Sequence, residues 1–370
     1  MKILDINLEL CSGCTACVAI CTAKAITMQE DAKGFLYPKL HPEKCISCGL
    51  CYQVCCAGIA KHDSLTHLKA YAIKNKDITV RMRSSSGGFS HGICRAVLEK
   101  GGVVFGVQYD AAFHVVMDRA ETLEECVAFY GSKYVQADLK DTFQEVEEEL
   151  RKKRWTLFIG TSCHVAGLVS FLDLKKCQTE TLITVDFVCH GEPSPRLFAE
   201  YISFLRKNKH FQYFDFRTKE KLWGDGSANY GCTIYYKNNC KETDTAKARI
   251  FLNLFFSNNF LRPNCFHCAF ASVEKPSDIT MADFWGLKED HSELFDEYGV
   301  SAVLVHTEKG ELILKEATEL EIVECEVKQV MKKQANLSAP SLKPSSYNEA
   351  WKQYEESGFM AISRRWGGTA

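Results

Sequence analysis

The chain has no excess of either charge: 45 Lys and Arg stand against 47 Asp and Glu, a net charge of -2. A nucleic-acid binder is expected to be basic, so that class is set aside. Long apolar runs are missing too. None approaches the about 18 residues that a membrane span requires, and residues 1–10, MKILDINLEL, lack the continuous apolar stretch of a secretory leader. The expected location is cytoplasmic. Disorder is excluded, because 46% hydrophobic and 25% charged residues can bury a core. The 370 residues suggest two to three domains. What the chain has in abundance is cysteine, 19 residues. In a secreted protein this would point to disulfides; in a cytoplasmic one it points to metal ligands or redox groups.

Nine of the 19 cysteines fall within the first 56 residues. Cys11, Cys14, Cys17 and Cys21 are spaced C-x2-C-x2-C-x3-C, and Cys45, Cys48, Cys51 and Cys55 repeat the spacing. Three close thiolates wrap one iron–sulfur cube, and the fourth points to the neighbouring one. The expected ligands are Cys11, Cys14, Cys17 and Cys55 for cluster one, and Cys21, Cys45, Cys48 and Cys51 for cluster two, both of 4Fe–4S type. Gly13 and Gly49 are read as matching places where the backbone turns tightly. A pair of zinc sites is the alternative, but zinc usually joins two C-x2-C knuckles at a distance. Over about residues 3–60 the run resembles a bacterial-type two-cluster ferredoxin. The proline usual after the fourth cysteine is replaced by Thr22 in one repeat and Cys56 in the other. Cys56 is out of ligand spacing and is not taken as a ligand.

Residues 61–80 are polar and read as a connecting arm. A helix follows 83–88, with Phe89, Ile93, Ala96 and Val97 on one face. A strand is expected over 103–107 and an acid-rich helix over 138–153. Strands over 155–160 and 181–188 each lead through a loop into a helix. The segment 210–237 alternates like a strand, and 300–327 reads strand–helix–strand. The expected fold class is α+β or α/β. A ferredoxin-like domain (1–60) and the arm precede a mixed α/β domain (81–335) and a C-terminal extension (336–370).

Three loops bear residues capable of chemistry: 160–164, 189–195 and 264–268. In open α/β sheets, loops at the carboxyl ends of strands converge on the binding crevice. Cys163, Cys189, Cys265 and Cys268 are the number a third cubane needs; alternatively, Cys163 and Cys189 are buried apolar residues. Ser84, Ser85, Ser86, Gly87 and Gly88 precede a helix, where hydroxyls cap N–H groups and glycine permits close approach of a phosphate. Ser132, Lys133 and Tyr134 offer a cation and hydroxyls. His164 and His190 adjoin two of the cysteines and are read as hydrogen-bond donors to sulfur, as proton donors, or as ordinary hydrogen-bonded loop residues.

Taken in order, RSSSGG (83–88), GSKYVQAD (131–138), GTSCHVAGL (160–168), DFVCHGEPSP (186–195), CFHC (265–268) and SDITMADFWG (277–286) resemble the family of coenzyme F420 hydrogenase/dehydrogenase beta subunits. The resemblance extends over about residues 65–330. It implies a flavin- and iron–sulfur-bearing chain that moves electrons between clusters, FAD and a two-electron carrier, which in the named archaeal members is F420. It places FAD near 84–88 and 132–134 and favours the third cluster. Asp278 and Asp283, near Trp285, are read as orienting an Arg or Lys side chain or the flavin, or as turn and strand-end residues. Two departures stand out: the family's GTPCQ-like loop is GTSCH here, and Lys275 stands where an arginine is frequent. The expectation is an iron–sulfur flavoprotein oxidoreductase with a redox partner protein or a small-molecule carrier. Two others stand beside it. One is a non-catalytic electron-transfer subunit. The other is a ferredoxin-linked thiol/disulfide reductase, from the likeness of residues 265–268 to a Cys-His-Cys element.

Overall fold

The computed structural model describes residues 7–57, 67–219, 223 and 231–368. Each cysteine run opens into a short helix, α1 (Ala16–Ala19) and α2 (Leu50–Gln53), with a hairpin of β1 (Ile26–Glu30) and β2 (Leu36–Leu40) between them. Four-residue helices do not stand alone; tertiary packing holds these. Ala16, Cys17, Ile20, Ile26 and Val54 share one core with Phe143, Val165, Leu168 and Phe171 of the following domain.

That domain begins with β3 (Lys69–Asn75), α3 (Ile78–Arg83), α4 (Phe89–Leu98), β4 (Val103–Tyr109), β5 (Val115–Ala120), α5 (Thr142–Arg151), β6 (Thr156–Ile159), α6 (Ser162–Leu174), β7 (Leu182–Phe187) and α7 (Pro195–Arg206). Next, β8 (Phe211–Thr218), β9 (Gly231–Tyr236) and β10 (Lys241–Thr243) form a small antiparallel sheet ahead of α8 (Ala246–Phe256). The chain closes with β11 (Ile279–Asp283), α9 (Leu287–Asp290), β12 (Ser301–Val305), α10 (Glu308–Glu316), β13 (Leu320–Cys325), α11 (Val327–Met331) and α12 (Tyr347–Arg365).

Eight strands make one mixed sheet in the order β13-β3-β12-β11-β7-β6-β4-β5. The four inner strands β11, β7, β6 and β4 are parallel, and the flanking pairs are antiparallel. Parallel strands covered on both faces read as continuous apolar runs; accordingly Leu157, Phe158, Ile183 and Val185 are all buried. β6 and β7 are neighbours, so the loops after them leave the sheet side by side. Among the described residues no helix is long and apolar enough to cross a membrane.

Two boundaries expected from sequence are corrected. Residues 69–75, read as part of a polar arm, are strand β3, paired on both sides, with Ala70, Tyr71, Ala72 and Ile73 buried. Lysines at its ends and small alanines within it hide the apolar signal. The stretch 336–370, read as an extension, contributes α12, whose Tyr347, Ala350, Trp351 and Ile362 are buried in a core shared with α7 and α8. The junction expected at 60/61 lies outside the described residues.

Candidate functional site

In each cysteine run two residues adopt left-handed backbone. They are Gly13 (φ 73°) and Thr15 (φ 62°) in the first run, and Ser47 (φ 57°) and Gly49 (φ 78°) in the second. The glycines therefore do not occupy matching places: Gly13 corresponds to Ser47, and Thr15 to Gly49. Gly13 has a second reason to be glycine, because a Cβ there would lie 2.5 Å from Gln136 Nε2. With these bends, Cys11, Cys14, Cys17 and Cys55 line one cavity of about 420 Å³. Cys21, Cys45, Cys48 and Cys51 line another of about 400 Å³. Cys56 also lines the first. Burial pushes the Cys17 thiol well up and Cys55 to about 12. Cys14 moves the other way, to about 7, because Cys56 bonds its sulfur. Four cysteines about each cavity are the ligand number of a 4Fe–4S cluster, so both sets suit one. The Ala25 N–H donates to Cys21 Sγ at 3.3 Å, the kind of bond that tunes a cluster.

A third set of thiols gathers at the carboxyl ends of β6 and β7. Cys163 lies on the first turn of α6, and Cys189 follows β7 by two residues. A short 3-10 helix, Pro263–His267, brings in Cys265, with Cys268 at its end. Burial pushes all four thiols up, and Cys268 raises Cys163, Cys189 and Cys265 further. Glu192 sits among them. Its N–H donates to Cys265 Sγ at 3.3 Å, and its carboxylate, the Cys163 sulfur and the His164 ring offer donor atoms within 4.8 Å of one another. The Thr161 hydroxyl is 3.1 Å from Cys163 Sγ.

The two histidines part company. His164 is buried with Nε2 3.5 Å from Glu192 Oε1, and burial lowers its pKa. His190 faces Asn258 Oδ1 at 2.6 Å and packs against Phe255 and Phe256. His164 thus belongs to the thiol pocket, and His190 to loop packing.

The loops 84–88 and 131–134 do meet: the Ser132 N–H and hydroxyl bond Ser85 Oγ at 2.9 and 3.0 Å. The serines do not cap α4, as the sequence suggested. Its N-cap is Gly88 (φ 81°), while Ser84 Oγ donates to Val80 O and Ser86 Oγ to Val300 O. Gly87 is glycine for packing, since a Cβ there would lie 2.4 Å from Ile73 O and 2.7 Å from Ser301 N. Lys133 Nζ donates to the carbonyls of Ala128, Tyr130 and Gly131, and burial lowers its pKa to about 8. The Tyr134 ring stacks on Phe255 at 4.9 Å.

Several residues beside these loops were not singled out from sequence. Arg217 forms a bidentate pair with Asp283 at 2.5 and 3.2 Å. Trp223 Nε1 donates to the same carboxylate and its ring stacks on Trp285 at 5.4 Å. Lys219 Nζ is held by the carbonyls of Arg81, Ser86 and Tyr298. Both aspartates face a cation, as one reading had it: Asp283 holds Arg217, and Asp278 lies 3.4 Å from Lys309 Nζ while also tying Thr184 to Thr307. Arg262, fully buried, was also missed. Its Nε donates to Cys11 O at 2.6 Å, and its guanidinium lies 4.1 Å from the centre of the Tyr37 ring.

Residues 153–330 match the family described as the C-terminal part of the coenzyme F420 hydrogenase/dehydrogenase beta subunit. Residues 10–59 match a 4Fe-4S dicluster domain, which sets zinc aside. The subunit designated F of the F(420)H(2) dehydrogenase of Methanosarcina mazei is 26% identical over 178 residues, covering 44% of this chain and 49% of that protein. The chain thus aligns with about half the length of this curated relative. A chain of the F420-reducing NiFe hydrogenase complex from Methanosarcina barkeri is similar at 13% identity and a TM-score of 0.48, covering 82% of this chain and 93% of that one. Residues 153–330 thus match the C-terminal domain of the coenzyme F420 hydrogenase/dehydrogenase beta-subunit family, and residues 10–59 match a 4Fe–4S dicluster domain ahead of it.

Proposed function

We propose that the chain is a cytoplasmic iron–sulfur flavoprotein oxidoreductase. It relays electrons between its two N-terminal clusters, a third 4Fe–4S cluster, FAD, and a two-electron carrier of F420 type or another acceptor. Cys11, Cys14, Cys17 and Cys55 hold the first cluster, and Cys21, Cys45, Cys48 and Cys51 the second. Cys163, Cys189, Cys265 and Cys268 hold the third. The observation that supports this most is the gathering of those last four thiols, from three distant loops, at the carboxyl ends of parallel strands. FAD is proposed beside Ser84–Gly88 and Ser132–Tyr134, where the Ser85–Ser132 bonds pin the two loops together. Bound flavin supplies the exchange between one-electron and two-electron chemistry. The chain's own part is to bury the thiolates, donate N–H groups to sulfur from Ala25 and Glu192, and keep water from His164 and Glu192. The relative described as part of a dehydrogenase supports a protein partner.

One observation favours a second reading, an electron relay without flavin. Lys133, Ser84 and Ser86 already spend their polar groups on backbone carbonyls. Anaerobic purification followed by iron, sulfide and flavin counts tests both. The first reading expects about twelve iron atoms and one flavin per chain. Twelve iron atoms without flavin would favour the relay. About eight iron atoms would remove the third cluster from either reading.

A further inference from the structure

We propose that electrons cross between the N-terminal module and the α/β domain at the first cysteine site, through the contact of Cys14, Cys56 and Cys163, with the second site as the outer pole of the chain. This rests on the reading of Cys163, Cys189, Cys265 and Cys268 as a third cluster. Cys56 stands where a ferredoxin-type run usually has proline, and it is buried. Its Sγ lies 3.9 Å from Cys14 Sγ and 3.9 Å from the carbonyl oxygen of Cys163. A proline ring would offer neither a sulfur nor a donor at that place.

The helix that carries Cys163, α6, also comes close. A Cβ on Gly167 of α6 would lie 2.8 Å from Cys14 Sγ, so only glycine admits this approach. On the other flank, Arg262 makes the link. Its guanidinium is 3.7 Å from Cys11 Sγ, and its carbonyl accepts the Cys265 N–H at 3.0 Å. Two residues of the first set thus reach two of the third through Cys56, Gly167 and Arg262. The second site has the opposite character. Its cavity is lined by residues between 21 and 51, Cys48 is exposed, and Ile46 is 68% exposed.

Tunnelling falls steeply with distance, and a bridging sulfur closes the gap between two thiolate shells. Each crossing moves one electron from a reduced centre to an oxidised one. No bond forms or breaks, and a one-electron reductant, dithionite in the test, supplies the electron.

The test uses full-length holoprotein, reduced anaerobically and read by electron paramagnetic resonance. Two reduced clusters in near contact split and broaden each other's signals. Cys48→Ala, which removes the second cluster, should keep this interaction between the remaining two. Cys17→Ala, which removes the first, should leave the third cluster with a sharp, isolated signal. The reverse pattern would overturn the wiring. Should Cys17→Ala fail to fold, loss of the interaction in Cys48→Ala with about eight iron atoms retained is sufficient to overturn it. Cys56→Ala keeps every proposed ligand. It should retain wild-type iron, while rapid-freeze experiments show reduction of the third cluster slowed several-fold; an unchanged rate would refute the role of Cys56. Wild-type protein with only about eight iron atoms would instead refute the third cluster itself, and the wiring with it.

Discussion

Gly167 and Arg262 set how closely the cysteine module approaches its neighbour. In a helix interior, alanine is normally better than glycine by about 1 kcal/mol. At Gly167 the added methyl meets Cys14 Sγ at 2.8 Å, and overpacking of this kind costs about 1–3 kcal/mol. Gly167→Ala should therefore lower the anaerobic thermal midpoint of the holoprotein; a raised midpoint would contradict the contact. Arg262→Met removes the donors to Cys11 O, Leu36 O and Gln136 Oε1, at about 1–3 kcal/mol for each buried group left unpaired. It also removes a cation beside Cys11, so the midpoint potential of the first cluster should fall in a redox titration. An unchanged potential would show that the guanidinium only packs. The candidate ligands of the two N-terminal sites were legible in the sequence because they are close together and repeat a spacing. Cys56 and Arg262 were not, since each matters through a partner more than a hundred residues away. Gly87 was legible as a required glycine; strands β3 and β12 also crowd it, so Gly87→Val tests packing before it tests phosphate binding.

Elements with a strong period were recoverable from sequence, and those whose apolar face is built from small or scattered residues were not. β6, β7 and β12 are mostly apolar and lie within a residue or two of their expected spans. β3 escaped because alanines supply much of its buried face. α12 escaped because its buried aromatics are spread among charged residues, yet it seals the structure. Trp351 packs edge-on against Phe35 at 6.1 Å and Phe260 at 5.3 Å, and so bridges the β1–β2 hairpin region and the loop after α8. Trp351→Ala should cost about 3–5 kcal/mol in denaturant unfolding, as for other large buried aromatics. A loss below about 1 kcal/mol would return the helix to the status of an appendage.

At the scale of the whole molecule, the two parts of the chain share a core. Phe143, Val165 and Leu168 pack with Ala16, Ile20 and Val54, so the dicluster module is not a bead on a tether. The sequence order of the motifs made the match of residues 153–330 legible. That the two thiol-rich regions are in contact was not, because motifs report what each segment does and not where it sits. The central claim is that iron occupies three places in one continuous structure. Anomalous diffraction at the iron absorption edge from anaerobically grown crystals tests it most directly. The account predicts three peaks: one among Cys11, Cys14, Cys17 and Cys55, one among Cys21, Cys45, Cys48 and Cys51, and one among Cys163, Cys189, Cys265 and Cys268. Two peaks, with the last four thiols free of metal, would contradict it.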